Sequence, residues 1–110
     1  MRENDRLKYR IWYKVNKEYI YVSFGELCLF NVSNRKDFIT EQCIGIRDKS
    51  GELIYEGDIV YCSEYNGVFT VVYDKEYCCY SLEKKVKGGK QLKALTSYLH
   101  LKIRGNINEG

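Results

Sequence analysis

The stretch Gly45-Ile46-Arg47-Asp48-Lys49-Ser50-Gly51-Glu52-Leu53-Ile54-Tyr55-Glu56-Gly57-Asp58-Ile59-Val60 reverses the chain twice within 16 residues. The first reversal starts at Asp48. An aspartate there can accept a hydrogen bond from the backbone two residues on, and Gly51, three positions later, can take positive φ without a Cβ clash. This is the pattern of a tight type I turn closed by a bulge glycine. Leu53 and Ile54 resume the apolar chain. Glu56-Gly57-Asp58 then turns it again and delivers it into Ile59-Val60-Tyr61-Cys62. Short extended segments joined by tight turns predict antiparallel β-structure.

The same grammar runs outward in both directions. Downstream, Tyr65-Asn66-Gly67 holds the Asn-Gly pair that favours hairpins. Val68 to Tyr73 returns with both faces apolar, which predicts a central strand. Asp74-Lys75-Glu76 turns again, and Tyr77 to Leu82 pairs back. Upstream, Leu7, Tyr9, Ile11 and Tyr13 alternate with Lys8, Arg10 and Trp12. A turn at Val15–Glu18 leads to a returning strand at Tyr19–Ser23. Glu26–Val32 is a third short candidate, Asn31–Asp37 a loop, and Phe38–Ile46 extended. Beyond the flexible Gly88-Gly89, Leu92, Leu95 and Leu99 follow an i, i+3, i+7 pattern, so a short helix is expected over 90–98. Leu99 to Arg104 then alternates as a closing strand. The expectation is one domain over 1–110. It divides into N-terminal strands at 7–32, a core at 38–83, and the helix with its closing strand at 90–107. A mainly β chain of about seven or eight short strands solves its edge problem by rolling into a small barrel.

Composition removes several classes. The chain has 110 residues, no proline and no long apolar run. That excludes proline-rich and membrane-spanning helical readings. The N-terminus is charged and lacks the pattern of a secretory signal. A soluble cytosolic domain is expected. Net charge is +3, and neither half of the chain is a basic arm. The one local exception is Lys84, Lys85, Lys87, Lys90 and Lys93, with no acid among them. The five cysteines, Cys28, Cys43, Cys62, Cys78 and Cys79, are odd in number and hold no Cys-x-x-Cys. Zinc needs four convergent ligands, and one histidine, His100, does not complete such a set. The cysteines read as reduced, mostly buried small hydrophobes, and Cys78 and Cys79 as neighbours pointing to opposite faces of a strand. No cofactor or metal is expected.

The quoted stretch resembles the signature of the YopX-like family of bacteriophage and prophage proteins. Its first half, Gly45 to Gly51, is similar to Gly-Leu-Lys-Asp-Lys-Asn-Gly. Its second half, Ile54 to Val60, matches Ile-Tyr-Glu-Gly-Asp-Ile-Val throughout. Tyr9-Arg10-Ile11-Trp12 is similar to the family's aromatic-Arg-x-Trp opening. Ile103-Arg104-Gly105-Asn106-Ile107 is similar to its closing Ile-Gly-Asn-Ile, with Arg104 inserted. Tyr13 stands where the family often has an acid, and Asn108 where a tyrosine is common. The resemblance implies a mainly β fold with a small SH3-like barrel and a setting in the cytoplasm of a bacterial host. It implies no particular activity.

The signature residues Trp12, Gly45, Asp48, Gly51, Tyr55, Glu56, Gly57, Asp58, Gly105 and Asn106 read first as structure. Gly57 supplies backbone freedom, Asp58 satisfies turn amides, Tyr55 and Ile59 fill the core, and Trp12 packs. Glu56 and Asp58 form a conceivable acid/base or metal pair, but they lack a third convergent acid. His100 with a cysteine is a weaker candidate still, since no cysteine sits beside a basic or helix-start feature. The lysines of 84–93 could track a phosphate backbone, although no aromatics are interleaved with them in sequence. The expectation is a non-enzymatic β module that binds another macromolecule. A protein partner comes first, self-association is included, nucleic acid is the alternative, and no membrane is involved.

Overall fold

The structure, a computed structural model, describes residues 8–23, 26, 37–96 and 98–109. Nine strands follow one another: β1 Lys8–Tyr13, β2 Glu18–Ser23, β3 Phe38–Arg47, β4 Leu53–Tyr55, β5 Asp58–Cys62, β6 Gly67–Asp74, β7 Cys79–Val86, β8 Gly89–Ala94 and β9 Leu101–Asn106. They form two antiparallel sheets, of order β2-β1-β3-β4 and β8-β7-β6-β5-β9.

The mainly β expectation holds, and β6 is central between β5 and β7. Two further expectations are corrected. The described strands form two sheets rather than one closed barrel. The helix expected over 90–98 is not formed: Gly89–Ala94 is strand β8, in register with β7 from Ser81↔Ala94 to Val86↔Gly89. A hairpin neighbour that offers backbone partners overrides a weak local helical pattern. The leucines show why the spacing misleads. Leu95 and Leu99 pack against the core, whereas Leu92 is 42% exposed.

The segment expected as a third strand, 26–32, lies outside the described residues apart from Glu26. There Glu26 and Ser23 exchange backbone-to-side-chain hydrogen bonds of 2.8 and 3.3 Å, the reciprocal pairing of a helix-capping box. The loop expected at 31–37 and Cys28 also fall outside the described residues, save Asp37.

Core residues come from both sheets. Ile44 of β3 and Ile54 of β4 meet Val60 and Cys62 of β5, Phe69 and Val71 of β6, Leu82 of β7 and Leu101 of β9. The turns behave as their residues require. Gly51 has φ +87, and Asp48 Oδ1 accepts from the amides of Ser50 and Glu52 at 2.9 and 3.0 Å. Asn66 takes φ +50 at the hairpin where Cys62 pairs with Gly67. Among the described residues no helix is long and apolar enough to cross a membrane.

Candidate functional site at the junction of the sheets

The Glu56-Gly57 turn joins the two sheets, because it carries the chain from β4 to β5. Its backbone is tied to both. The Glu56 amide donates to the Gln42 carbonyl of β3, and the Gly57 amide donates to the Val71 carbonyl of β6. The Gly57 carbonyl accepts from Ile107 beyond β9. Gly57 has φ +92, and a Cβ there would overlap the carboxylate of Glu41. Glycine is therefore required twice, for backbone conformation and for close approach.

Beneath this turn lies a buried charged cluster. Arg10 of β1 stands in register opposite Glu41 of β3. Arg10 Nε donates to Glu41 Oε1 at 2.7 Å, and one terminal nitrogen reaches Asp58 Oδ1 at 2.8 Å and the Glu56 carbonyl at 3.2 Å. The guanidinium lies 4.3 Å from the ring centroid of Tyr19 and 4.8 Å from that of Tyr55, so its faces contact aromatic π-clouds and its edge contacts carboxylates. Asp58 Oδ2 accepts from the Tyr55 amide at 2.9 Å. The Tyr19 hydroxyl donates to Glu41 Oε1, and Asn108 Nδ2 donates to Glu41 Oε2 at 3.0 Å. Asn106 holds Asn108 in reach, because its Oδ1 accepts from the amides of Asn108 and Glu109 at 2.9 Å each.

One guanidinium thus serves two buried carboxylates, with Glu56 half-buried nearby. Burial works against the Arg10 charge, but Asp58 and Glu41 more than offset it and hold its pKa above the ordinary value. Burial raises Asp58, and the nearby Glu41 charge adds to this, beyond the relief given by the Tyr55 amide and Arg10. Burial and Glu41 likewise raise Glu56. Burial pushes the phenols of Tyr19 and Tyr55 up to about 12. A cavity of about 420 Å³ opens beside the cluster, and Arg10, Tyr19, Tyr21, Tyr55 and Asp58 form part of its wall.

Five signature residues, Gly51, Tyr55, Asp58, Gly105 and Asn106, line this same cavity. Glu56 and Gly57 form the turn above the cluster. Trp12 is buried and tilts against Tyr19 at 4.8 Å between centroids. Gly45 falls where the β3–β4 register shifts. Asp48 does more than close its own turn. Its Oδ2 accepts from the Ile103 amide at 3.2 Å and so fastens the turn to β9. Sequence reading missed Arg10, Glu41, Tyr19 and Asn108. The signal available was a charged residue, Arg10, set between Tyr9 and Ile11 in the opening strand.

The lysines of the β7–β8 hairpin separate. Strand periodicity places Lys84 and Lys93 on the core-side face and Lys85 and Lys90 opposite each other on the outer face. Lys90 pairs with Glu83 at 3.2 Å, and Lys87 sits in the turn. Aromatics and lysines do interleave in space: Lys84 Nζ lies 5.8 Å from the Phe69 centroid, and Lys93 Nζ 5.5 Å from that of Tyr65. Elsewhere, His100 is exposed and bonds through Nδ1 to Glu64, while the buried Cys62 thiol lies 3.8 Å from the other Glu64 oxygen. A carboxylate, rather than the imidazole, touches the thiol, which is the wrong order for a thiol activated by histidine. Among the described residues no group of three or more His, Cys, Asp or Glu is placed to hold a metal ion.

Two antiparallel sheets, joined by a glycine turn over a buried arginine–carboxylate cluster, define the class of protein. The chain belongs to the YopX protein family, whose model matches residues 1–110. No curated protein matches it. Among solved structures, the crystal structure of protein EF1440 from Enterococcus faecalis is similar, with 17% identity, 93% of each chain covered and a TM-score of 0.47.

Proposed function

We propose that this protein is a phage-encoded, SH3-like, non-enzymatic module of the bacterial cytoplasm that binds another protein and can associate with a second copy of itself. The carrying observation is the outer face of the five-stranded sheet. Ile59, Tyr61, Val68, Val72 and Leu92 lie on it, opposite the core residues Val60, Cys62, Phe69, Val71 and Leu82. Val68 is 45% and Leu92 42% exposed. These apolar side chains share the face with Thr70, Glu83, Lys85 and Lys90. A sheet face that mixes apolar, tyrosine and charged groups is a ready contact surface, with tyrosine adding contact area at little entropic cost. The candidate acid/base pair gives less support to catalysis. Both oxygens of Asp58 are already engaged, by Arg10 and by the Tyr55 amide. Affinity capture from infected host cells tests the reading. A retained protein lost in a Val68→Asp/Leu92→Asp variant supports it, and equal capture by native and variant protein overturns it. A clean monomer by light scattering at high concentration removes self-association.

The juxtaposition of Lys93 with the partly exposed ring of Tyr65, beside Lys84, favours nucleic acid as a second reading. Affinity would then fall with salt at a slope near −0.9 per phosphate neutralised. Changing Lys84, Lys85 and Lys87 to Ala would flatten that slope. Absence of binding to any DNA or RNA at low salt removes this reading.

A further inference from the structure

Adjacent residues in a strand point to opposite faces, and Cys78-Cys79 would be split that way if both were extended. They are not. Cys78 ends the β6–β7 turn with φ +54, a left-handed conformation uncommon for a non-glycine residue, and Cys79 begins β7. The kink brings both exposed residues to the wall of one cavity of about 300 Å³, which Tyr73, Tyr80 and Gln42 also line. Burial first, and then the two thiols, raise the Tyr73 phenol, as expected of a ring lying against them.

We infer that Cys78 and Cys79 form a two-thiol site for a thiophilic, oxygen-leaving electrophile of the trivalent-arsenic class. Covalent geometry favours this use over a disulfide. Adjacent Cα atoms across a trans peptide are about 3.8 Å apart, below the roughly 4.4–6.8 Å that disulfides span. Closing a sulfur–sulfur bond here costs strain and gives a bridge that thiols reopen readily. The pair therefore stays as two thiols. Inserting a larger atom between the sulfurs widens the ring and removes that strain. With an organic arsenic(III) oxide, two S–As bonds form, both thiol protons go to the oxide oxygen, and that oxygen leaves as water. Nothing is oxidised or reduced. Cys43 and Cys62 are buried in the core and lie on different strands.

Phenylarsine oxide with the folded full chain is the probe, read by intact mass and by peptide mapping. The expected result is one arsenical per chain, mapped to the peptide holding Cys78 and Cys79. It resists excess monothiol and is removed by a competing dithiol. Cys78→Ser and Cys79→Ser each abolish this monothiol-resistant adduct, whereas Cys28→Ser retains it. Circular dichroism of each variant establishes that the fold is kept, and mapping on the native chain reports the site independently of any variant. Monothiol-resistant binding that survives in either Cys78→Ser or Cys79→Ser, an adduct mapped elsewhere, or a native chain stripped by monothiol overturns the inference.

Discussion

Arg10 and Glu41 face each other in register across β1 and β3 and close a 2.7 Å ion pair with both side chains at most 5% exposed. Asp58 reaches the same guanidinium from the second sheet at 2.8 Å. A charge that spans two sheets fixes how they meet, because among the described residues Arg10 is the cation paired with both carboxylates.

Removing the arginine therefore leaves two buried carboxylates without their cation. Arg10→Leu is expected to destabilise by about 3–5 kcal/mol, the usual cost of breaking a buried pair from one side. Urea unfolding measures it. The double variant Arg10→Leu/Glu41→Leu should lose less than the sum of the two singles, by a coupling of about 0.5–3 kcal/mol. Strict additivity would mean that Arg10 and Glu41, neighbours within one sheet, do not act as a pair.

The two turn glycines should differ. Gly51 and Gly57 have φ of +87 and +92, so alanine at either meets a left-handed penalty of about 1–2 kcal/mol. At Gly51 a Cβ meets nothing within 4 Å, whereas at Gly57 it strikes Glu41. Gly57→Ala is therefore expected to lower the melting temperature more than Gly51→Ala. Adding Glu41→Ala should narrow the further loss that Gly57→Ala causes. Equal costs at the two glycines would show that the close approach is unimportant.

Stability should pass through a maximum on the acid side of neutrality. Asp58 and Glu56 have folded pKa values above their ordinary ones. The folded state then binds protons that the unfolded state does not, and stability rises as pH falls toward the ordinary carboxylate range. Asp48 acts oppositely. Burial works against its charge, but the amides of Glu52, Ile103 and Ser50, with Lys102, hold its pKa below the ordinary 3.8. Its contribution is complete above that value and is lost as pH falls through the folded one. Urea midpoints against pH should show the turnover, and Asp48→Asn should blunt the fall at the acid end.

Glu64 tethers the segment before β9. It accepts from the His100 ring and, at 2.9 Å, from the His100 amide, and these bonds, the ring's first, pull its carboxyl down to about 2. The His100 amide should stay protected from exchange on acidification until pH approaches that value. Glu64→Gln should speed exchange there and leave Val71 unaffected. Uniform change at both amides would mean global unfolding instead of a local tether.

Much of the backbone path was legible. Asp48 to Gly51, Glu56 to Asp58 and Asn66-Gly67 turn where their residues say, because turn chemistry acts between atoms a few bonds apart. The central place of β6 followed from its two apolar faces. The helix over 90–98 was misread, because backbone pairing with β7 outweighed a spacing of leucines that face different environments. Cys78 and Cys79 were misread as opposed, because a left-handed residue interrupts the strand alternation on which that reading rested.

Alternation and turn residues by themselves determined that this chain is an antiparallel β protein and where it reverses. Tertiary structure alone decided that Arg10 meets Glu41, 31 residues away, and Asp58, and that lysines of one hairpin lie over aromatics of another. Local steric and hydrogen-bond preferences are written into neighbouring residues. A buried charge instead takes its partner from whichever strand the register and the facing sheet bring within a few ångströms.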